Sequence, residues 1–227
     1  MRKPDPMRRR PIEQREHNMN EWMMVIWLAG AYALGSVSFA VVVSRFMGLD
    51  DPRTYGSQNP GATNVLRSGN KKAAALTLLF DALKGWLPLW ALTQLSPTAP
   101  AELIAGVALA AFVGHVWPVF FRFQGGKGVA TAAGVLFGVH PLLGLATACT
   151  WLIVAVFFRY SSLAALCAAV FAPFYFAIGQ ERVWLANPAL LVALLAMSAI
   201  LIQRHKDNLR RLIRAEETRI GEKKPSP

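Results

Sequence analysis

The chain combines a high apolar content with a strong positive charge. It has 227 residues, of which 54% are apolar and 16% are charged, with a net charge of +11 and a mean hydropathy of +0.35. A water-soluble domain is usually about half apolar and about a quarter charged. These values therefore exclude a disordered segment, a coiled coil and an ordinary soluble domain, and they predict a membrane protein.

The apolar residues fall into blocks that have the length of membrane-spanning helices. A helix needs about 20 residues to cross about 30 Å of hydrocarbon. Five such blocks cover residues 23–46, 73–95, 103–121, 162–179 and 187–203. A sixth block, residues 129–158, contains the breaker GVHP at residues 138–141, which splits it into a short span and a longer one. The sequence therefore predicts an all-α integral membrane protein of about seven transmembrane helices, one or more of them short or broken.

Basic residues mark one side of the expected bundle. With seven spans, one side receives residues 45–72, 122–127, 159–162 and 204–227, which hold nearly every basic residue outside the N-terminal tail. The other side receives short connections whose single basic residue is Arg182. The positive-inside rule assigns the first side to the cytoplasm, so we expect the N-terminus outside and the C-terminus inside.

The N-terminal tail conflicts with that orientation. Residues 1–18 carry six lysine and arginine side chains, which favour the cytoplasm. Translation from Met19 would remove them, and the mass of the native N-terminus tests this hypothesis. The chain thus divides into a basic extension over residues 1–21, expected to be disordered, a transmembrane domain over 22–203, and a basic cytoplasmic tail over 204–227 whose start contributes to the site.

The loop after the first span is suited to an anion. Residues 56–67, GSQNPGATNVLR, are rich in small polar side chains and contain no acidic ones. A turn at Pro60 exposes backbone N–H groups, and an arginine can clamp a phosphate with two hydrogen bonds. The candidate substrate-binding residues are Ser57, Asn59, Gly61, Thr63, Asn64 and Arg67. The alternative is an ordinary hydrophilic connection whose Ser and Asn residues form turns and cap helices.

Two predicted spans contain polar residues. Asp81 and Lys84 are three positions apart in the second span, so they share one helical face and can form an ion pair. Each costs about 2.5 to 3.5 kcal/mol at the centre of a bilayer, which makes an intramembrane pair a functional candidate. His115, near the end of the third span, is a further candidate for substrate contact. The alternatives are a neutralised pair that only fixes helix packing and a histidine that bonds a backbone group.

A glycine-rich loop precedes the fourth span. Residues 125–128 read GGKG, and backbone N–H groups at such a helix start can approach a phosphate closely. The sequence is not a Walker A loop, because Gly128 follows the lysine where Ser or Thr is required, and Phe121 stands where the first glycine is required. The candidates are Gly125, Gly126, Lys127 and Gly128. The alternative is a flexible turn whose lysine only marks the cytoplasmic side.

Two further polar segments fall on the same side of the membrane. The connection at Arg159 supplies Ser161 and Ser162, and the start of the tail supplies His205, Asn208 and Arg211. Basic tails of this kind also bind anionic lipid headgroups without any further role. All the phosphate-type elements nevertheless converge on one face, beside the lipid boundary. This arrangement suits a protein that joins a phosphorylated water-soluble molecule to a lipidic one.

These segments together resemble the bacterial acyl-phosphate:glycerol-3-phosphate acyltransferases. The matching segments, in order, are GSQNPGATNVLR at 56–67, DALKG at 81–85, GHVWP at 114–118, GGKGVAT at 125–131 and HKDNLRR at 205–211. The resemblance extends from about residue 22 to residue 217. It implies transfer of a fatty acyl group from acyl phosphate to the 1-hydroxyl of sn-glycerol 3-phosphate, giving lysophosphatidic acid and inorganic phosphate, in the bacterial inner membrane.

The resemblance also implies which partners the chain uses. Such enzymes use neither acyl-CoA nor acyl-carrier protein, and a separate soluble phosphate acyltransferase supplies the acyl phosphate. We expect no cofactor, no metal and no nucleic acid, since the positive charge is spread over loops and tails and not gathered on a soluble module. The His-x4-Asp pattern of CoA-dependent glycerol phosphate acyltransferases is absent, because the residues five positions after His17, His115, His140 and His205 are Trp22, Phe120, Leu145 and Arg210.

The implied mechanism relies on orientation and charge stabilisation. Acyl phosphate is an activated mixed anhydride, and in the route proposed for the family a phosphate oxygen accepts the hydroxyl proton. The catalytic set would be Ser57, Arg67, Lys127 and His205, with Ser161, Ser162 and Asn208 also binding glycerol 3-phosphate. Asp81 and Lys84 would order the pocket.

Two other functions compete with this one. An organophosphate transporter also uses polar residues and glycine-broken helices within its spans, but it predicts related halves, and residues 22–110 and 111–205 show no repeat. A non-catalytic membrane scaffold would leave the GGKG loop and the Asp81–Lys84 pair without a purpose.

Overall fold

The computed structural model describes the backbone of residues 10–222 and the side chains of residues 21–222. In this part of the chain all regular structure is helical, apart from one isolated bridge between Gln180 and Trp184. The helices are α1 (Arg10–Gly35), α2 (Phe39–Phe46), α3 (Ala62–Leu66), α4 (Lys71–Leu95), α5 (Ala101–Val116), α6 (Val129–Val139), α7 (Pro141–Phe158), α8 (Ser161–Gly179), α9 (Pro188–Arg204) and α10 (Lys206–Ile213). Residues 1–9 of the predicted extension lie outside the described residues, and α1 begins inside that extension.

Four helical segments of the described chain are long and apolar enough to cross a membrane by themselves. They are Lys71–Leu95, Ala101–Phe121, Pro141–Phe158 and Ser161–Gly179. Two bent pairs, α1 with α2 and α9 with α10, bring the number to six if each pair is one span. The membrane class is confirmed, but the count of seven is not. The predicted break at residue 140 is present, and it leaves α6 with 11 residues, about 16 Å at 1.5 Å per residue and too short to cross the hydrocarbon.

The first predicted span is not continuous. It breaks after Gly35 and resumes at Phe39, with a bend of 46° between its two parts. At the break the Ser36 hydroxyl accepts a hydrogen bond from the Val119 N–H at 3.4 Å. Gly35 lies against the Ala111 carbonyl of α5, where a Cβ atom would come within 2.2 Å of the oxygen. Serines that bond backbone groups offer the chain an alternative to helix, which the apolar composition of residues 23–46 does not show.

Glycines allow α4 and α6 to pack with their backbones in contact. A Cβ atom at Gly85 would lie 2.2 Å from the Thr131 carbonyl oxygen, and one at Gly134 would lie 1.8 Å from the Ala82 carbonyl oxygen. Small residues at such contacts are typical of helix association in membranes. This contact fixes α6, and with it the GGKG loop at its start, against the helix that carries Asp81 and Lys84.

The outer surface of the bundle is apolar. Only 22% of the α7 span is buried within the protein, and large side chains such as Val156 and Phe157 are 65% and 80% exposed. The interior is packed by Phe112, Leu89 and Phe176, all nearly fully buried. Apolar surface of this extent is unusual on a soluble monomer, and lipid is the solvent that suits it.

Candidate functional site

The polar loops of the chain meet at one end of the bundle. Thr63 and Ser161 approach each other with 3.3 Å between their hydroxyl oxygens, and the Arg204 guanidinium donates to the Gly125 carbonyl at 2.9 Å. Together with α10, these contacts bring together the four segments that the sequence predicted to share one face. At the opposite end the His140 and Trp184 rings lie 5.1 Å apart. We call the first end the site end.

A buried asparagine organises the loop after α2. Asn64 is 2% exposed, and its amide donates to the Pro52 carbonyl at 2.6 Å and the Tyr55 carbonyl at 3.1 Å. Its side-chain oxygen accepts from the Ser57 N–H at 2.9 Å and from the Arg67 guanidinium at 3.4 Å. An asparagine amide has two N–H donors and one oxygen with two lone pairs. The predicted substrate ligand Asn64 therefore has all of its hydrogen bonds within the loop, where it holds Ser57 and Arg67 in place.

The other predicted residues of this loop are accessible. Ser57, Thr63 and Arg67 are exposed, and Asn59 and Gly61 are partly buried. The bundle does not enclose any of these five residues, so all of them remain accessible to a substrate at the site end.

The GGKG loop is held in place by contacts with α5. Gly125, Gly126 and Gly128 are buried, and the Gly126 N–H donates to the His115 carbonyl at 3.2 Å. Gly128 has a φ of +85° and directly precedes α6, a conformation that L residues with a side chain rarely adopt. A Cβ atom there would also lie 2.3 Å from the Phe112 ring. The sequence requirement for glycine thus has a steric reason, and the α6 N-terminus opens at the site end.

Lys127 heads a hydrogen-bonded network that leads to the C-terminal tail. Its ammonium donates to the Asn208 side-chain oxygen at 2.5 Å, and the Asn208 amide donates to Glu217 at 2.6 Å. The same carboxylate accepts from the Ser162 hydroxyl at 2.8 Å and from the Arg211 guanidinium at 2.7 Å. Four residues that the sequence proposed for the site are therefore joined through an acid that it did not propose.

Glu217 and Arg204 are the site residues that sequence reasoning missed. Burial alone raises the pKa of the Glu217 carboxyl, but hydrogen bonds from Asn208, Arg211 and Ser162 hold it below the usual value. The carboxyl is thus ionised at neutral pH and keeps its three donors. An acidic residue within a tail rich in arginine was the available signal for Glu217, and the position before His205 was the signal for Arg204.

Cations converge on Lys127. Burial lowers the pKa of its ammonium to about 8, Glu217 partly opposes this shift, and Arg211, Arg67 and Arg204 add to it. Three arginines are therefore near enough to repel the lysine. A concentration of positive charge in which Glu217 is the paired acid is suited to phosphate groups.

His205 is the C-cap residue of α9. It is 3% exposed, and its Nδ1 lies 2.8 Å from the Leu201 carbonyl oxygen, which can only accept, so Nδ1 carries the proton. Its ring is held by that bond next to the site end.

Asp81, Lys84 and His115 lie inside the bundle, below the loops. The predicted ion pair forms, with 2.8 Å between the Lys84 ammonium and the Asp81 carboxylate. All three side chains are at least nine-tenths buried. They are therefore not exposed at the site end with Ser57 and Arg67. Among residues 21–222, no three His, Cys, Asp or Glu side chains are grouped to hold a metal ion.

Comparisons with known proteins agree on one activity. The family model for glycerol-3-phosphate acyltransferase matches residues 25–215. A glycerol-3-phosphate acyltransferase of Burkholderia multivorans is 63% identical over 196 residues, 86% of this chain and 89% of that protein. One of Bordetella petrii is 60% identical over 197 residues, 87% of this chain and 93% of that protein.

Two solved structures share the fold. Both are crystal structures of PlsY (YgiH), described as an integral membrane glycerol 3-phosphate acyltransferase, one in the glycerol 3-phosphate form and one in the lysophosphatidic acid form. Their TM-scores to this chain are 0.80 and 0.78, at 36% and 35% identity. Each alignment covers 88% of this chain and 96% of the solved chain.

Proposed function

The chain belongs to the glycerol-3-phosphate acyltransferase family, and on that premise we propose acyl phosphate as its acyl donor. The chain is a membrane acyltransferase that acylates glycerol 3-phosphate. The proposed reaction moves a fatty acyl group to the 1-hydroxyl of sn-glycerol 3-phosphate and releases lysophosphatidic acid and inorganic phosphate. A soluble phosphate acyltransferase would supply the donor.

The convergence of cations on Lys127 is the observation that carries this proposal. Both proposed substrates bear a phosphate, and the charges of Arg67, Arg204 and Arg211 all lower the pKa of the lysine at the site end. A thioester donor would bring no phosphate to its reacting carbonyl. A reaction with two phosphate-bearing substrates accounts for a larger number of cations at the site than a reaction with one such substrate.

The reaction proceeds by direct displacement. The glycerol 3-phosphate hydroxyl oxygen attacks the acyl carbonyl carbon, the bond from that carbon to the phosphate oxygen breaks, and the hydroxyl proton passes to a phosphate oxygen. Lys127, the amides at the start of α6, and Arg67 with Ser57 hold phosphate and stabilise negative charge on the carbonyl oxygen. Ser161, Ser162, His205 and Asn208 hold glycerol 3-phosphate. No covalent intermediate is needed, because phosphate is already a good leaving group.

The donor is tested by a parallel assay. The purified protein in detergent receives labelled glycerol 3-phosphate with either palmitoyl phosphate or palmitoyl-CoA. We expect acyl transfer from palmitoyl phosphate alone. Transfer from the thioester alone would overturn the proposed donor while leaving the acyltransferase family intact.

The pH dependence of the reaction tests the role of Lys127. Its pKa of about 8 means that the ammonium is charged below this pH and neutral above it. The profile of kcat/KM reports ionisations of the free enzyme. We therefore expect kcat/KM to be level on the acid side of pH 8 and to fall about tenfold per unit on the alkaline side, since one group loses its proton. Initial rates from pH 7 to pH 10 measure this limb.

Lys127→Arg is the matched control for that profile. Arginine stays charged to a pKa above about 12, so the alkaline limb should disappear even if the plateau is lower. Where the residual activity of the variant is too low for a pH profile, the rise in thermal midpoint caused by glycerol 3-phosphate can be measured against pH in both proteins. Its pH dependence reports the ionisation of residue 127. An identical alkaline limb in both proteins would assign the titration to another residue.

We also propose that the site end faces the cytoplasm of a bacterial inner membrane. Nearly all loop cations lie at this end, and Arg182 is the single basic residue of the described loops at the other. Cysteines at exposed Ser68 and Thr98, in a chain lacking Cys149 and Cys167, test this. A membrane-impermeant maleimide should label position 98 in intact spheroplasts and position 68 only after lysis. The reverse pattern would invert the topology.

A further inference from the structure

The interior of the bundle contains a polar network that the proposed chemistry does not use. Asp81 and Lys84 are 2% exposed, His115 is 7% exposed and Thr131 is fully buried. They come from α4, α5 and the first turn of α6. Burying charged side chains inside a membrane protein costs free energy, so such residues are expected to have a specific role.

On one side the network holds the break in the first span. The Val41 N–H donates to the Ser38 carbonyl at the start of α2, which leaves the Val37 carbonyl without its usual helical donor. The Lys84 ammonium donates to that carbonyl at 2.6 Å. The chain then passes through α2 into the loop that carries Ser57 and Arg67. Lys84 thus holds the start of α2, the helix that leads into one phosphate-binding loop.

On the other side the network holds the GGKG loop. The His115 Nδ1 lies 3.0 Å from the Thr131 hydroxyl, and the His115 carbonyl accepts from the Gly126 N–H at 3.2 Å. The His115 ring also lies directly against Gly126, where a Cβ atom would be 2.3 Å from Nε2. His115 therefore contacts the loop before Lys127 and the helix after it.

Asp81 joins the two sides. One of its carboxylate oxygens lies 2.8 Å from the Lys84 ammonium and 3.7 Å from the His115 Nδ1. The ion pair also lies on the helix that packs against α6 through Gly85. A chain of contacts therefore runs from the Val37 carbonyl to the Thr131 hydroxyl through the protein interior.

We propose that Asp81, Lys84, His115 and Thr131 are positioning residues that set the distance between the two phosphate-binding loops. Loss of the network would move Ser57 and Arg67 relative to Lys127 without removing any of these groups. Asn208, which holds glycerol 3-phosphate and is bonded to Lys127, would be displaced with it. The inference rests on the proposed function for the assignment of these loops to phosphate. It specifies how Asp81 and Lys84 order the pocket, and it gives His115, a candidate for substrate contact in the sequence, a positioning role instead.

A double substitution separates positioning from stability. Removing one member of a buried ion pair strands the other charge, whereas removing both is often neutral for stability. Asp81→Asn with Lys84→Met removes both charges with little change in side-chain shape. We expect a thermal midpoint in detergent close to that of the wild type, and a loss of about 10²-fold in kcat/KM, since displacement of a reacting group by about 1 Å has that effect. A folded double variant with wild-type kcat and KM would overturn the proposal.

Thr131 provides a second test if the double variant does not fold. Thr131→Val keeps the shape and removes the hydroxyl that bonds His115, whereas Thr131→Ser keeps the hydroxyl. We expect Val to raise the KM for glycerol 3-phosphate and Ser to restore it. Thr147→Val is the matched control, because Thr147 is a buried threonine of α7 outside the network. Equal kinetics for Thr131→Val and Thr147→Val would contradict the inference.

Ligand binding without turnover keeps this test distinct from that of the acyl donor. Glycerol 3-phosphate should raise the thermal midpoint of the wild-type protein, and this shift should shrink in Thr131→Val but not in Thr147→Val. Wild-type protein that is inactive with palmitoyl phosphate yet shows the thermal shift would count against the proposed donor alone. A thermal shift of wild-type size in Thr131→Val would count against the positioning role alone.

Discussion

Replacing Lys127 with methionine should reduce kcat/KM by about 10²- to 10³-fold, the usual effect of removing one group that stabilises charge in a transition state. Methionine keeps the apolar stem, which is partly buried, and removes the ammonium that bonds Asn208. The three neighbouring arginines remain, so phosphate should still bind while the developing charge on the carbonyl oxygen loses its partner. We therefore expect the larger part of the loss in kcat. Steady-state kinetics with palmitoyl phosphate and glycerol 3-phosphate measure it.

Lys72→Met is the matched control for Lys127→Met. Lys72 is an exposed lysine in the first turn of α4, away from the network of Lys127. It should leave kcat and KM unchanged, which shows that loss of one positive charge is not the cause. Near-normal turnover and affinity in Lys127→Met would remove Lys127 from the mechanism.

Gly125→Ala should lower kcat/KM by about 10²-fold, because the new methyl group forces the loop to move by about 1 Å. A Cβ atom at this position would lie 2.1 Å from the His115 carbonyl oxygen and 2.6 Å from the Val116 carbonyl oxygen. Pro118 would also be within 2.5 Å. Backbone atoms cannot rotate out of the way as side chains do. The loop must shift instead, and Lys127 is two residues away.

Gly30→Ala controls for the change of glycine to alanine. Gly30 lies within α1, and a Cβ atom there would meet nothing within 4 Å. The substitution should leave activity unchanged and favour the helix slightly. Comparison of thermal midpoints shows whether Gly125→Ala acts through local geometry or through unfolding. A folded Gly125→Ala protein with wild-type kinetics would mean that the exact position of the loop is unimportant for catalysis.

Local signals account for the parts of the fold and of the site that were predicted from the sequence. The GGKG loop and the break before Pro141 both depend on residues adjacent in the chain, and both occur where expected. The Asp81–Lys84 ion pair depends on helical spacing alone, and it forms. Features that depend on residues close together in the sequence can be predicted without knowledge of the fold.

Other features depend on contacts between distant segments and were missed for that reason. The break after Gly35 depends on the Ala111 carbonyl of another helix and on Lys84, 47 positions from the carbonyl that it binds. Glu217 lies 55 positions from Ser162, and the tail composition suggests only solvent or headgroups around it. Asn64 looked like a substrate ligand because the sequence cannot show that its amide is already occupied. Composition reveals which residues are polar, and the fold decides which of them remain available.

The short length of α6 has a consequence for where the two substrates meet. Helix α6 ends and helix α7 begins at the turn at His140, and the two pack side by side, but α6 has 11 residues and α7 has 18. Seven residues correspond to about 10 Å of rise. The GGKG loop is therefore recessed by about that depth relative to the end of α7, which reaches Arg159. At that depth a fatty acyl group can present its carbonyl while its chain stays in the hydrocarbon of the bilayer. The water-soluble glycerol phosphate then has to enter from the site end to reach it.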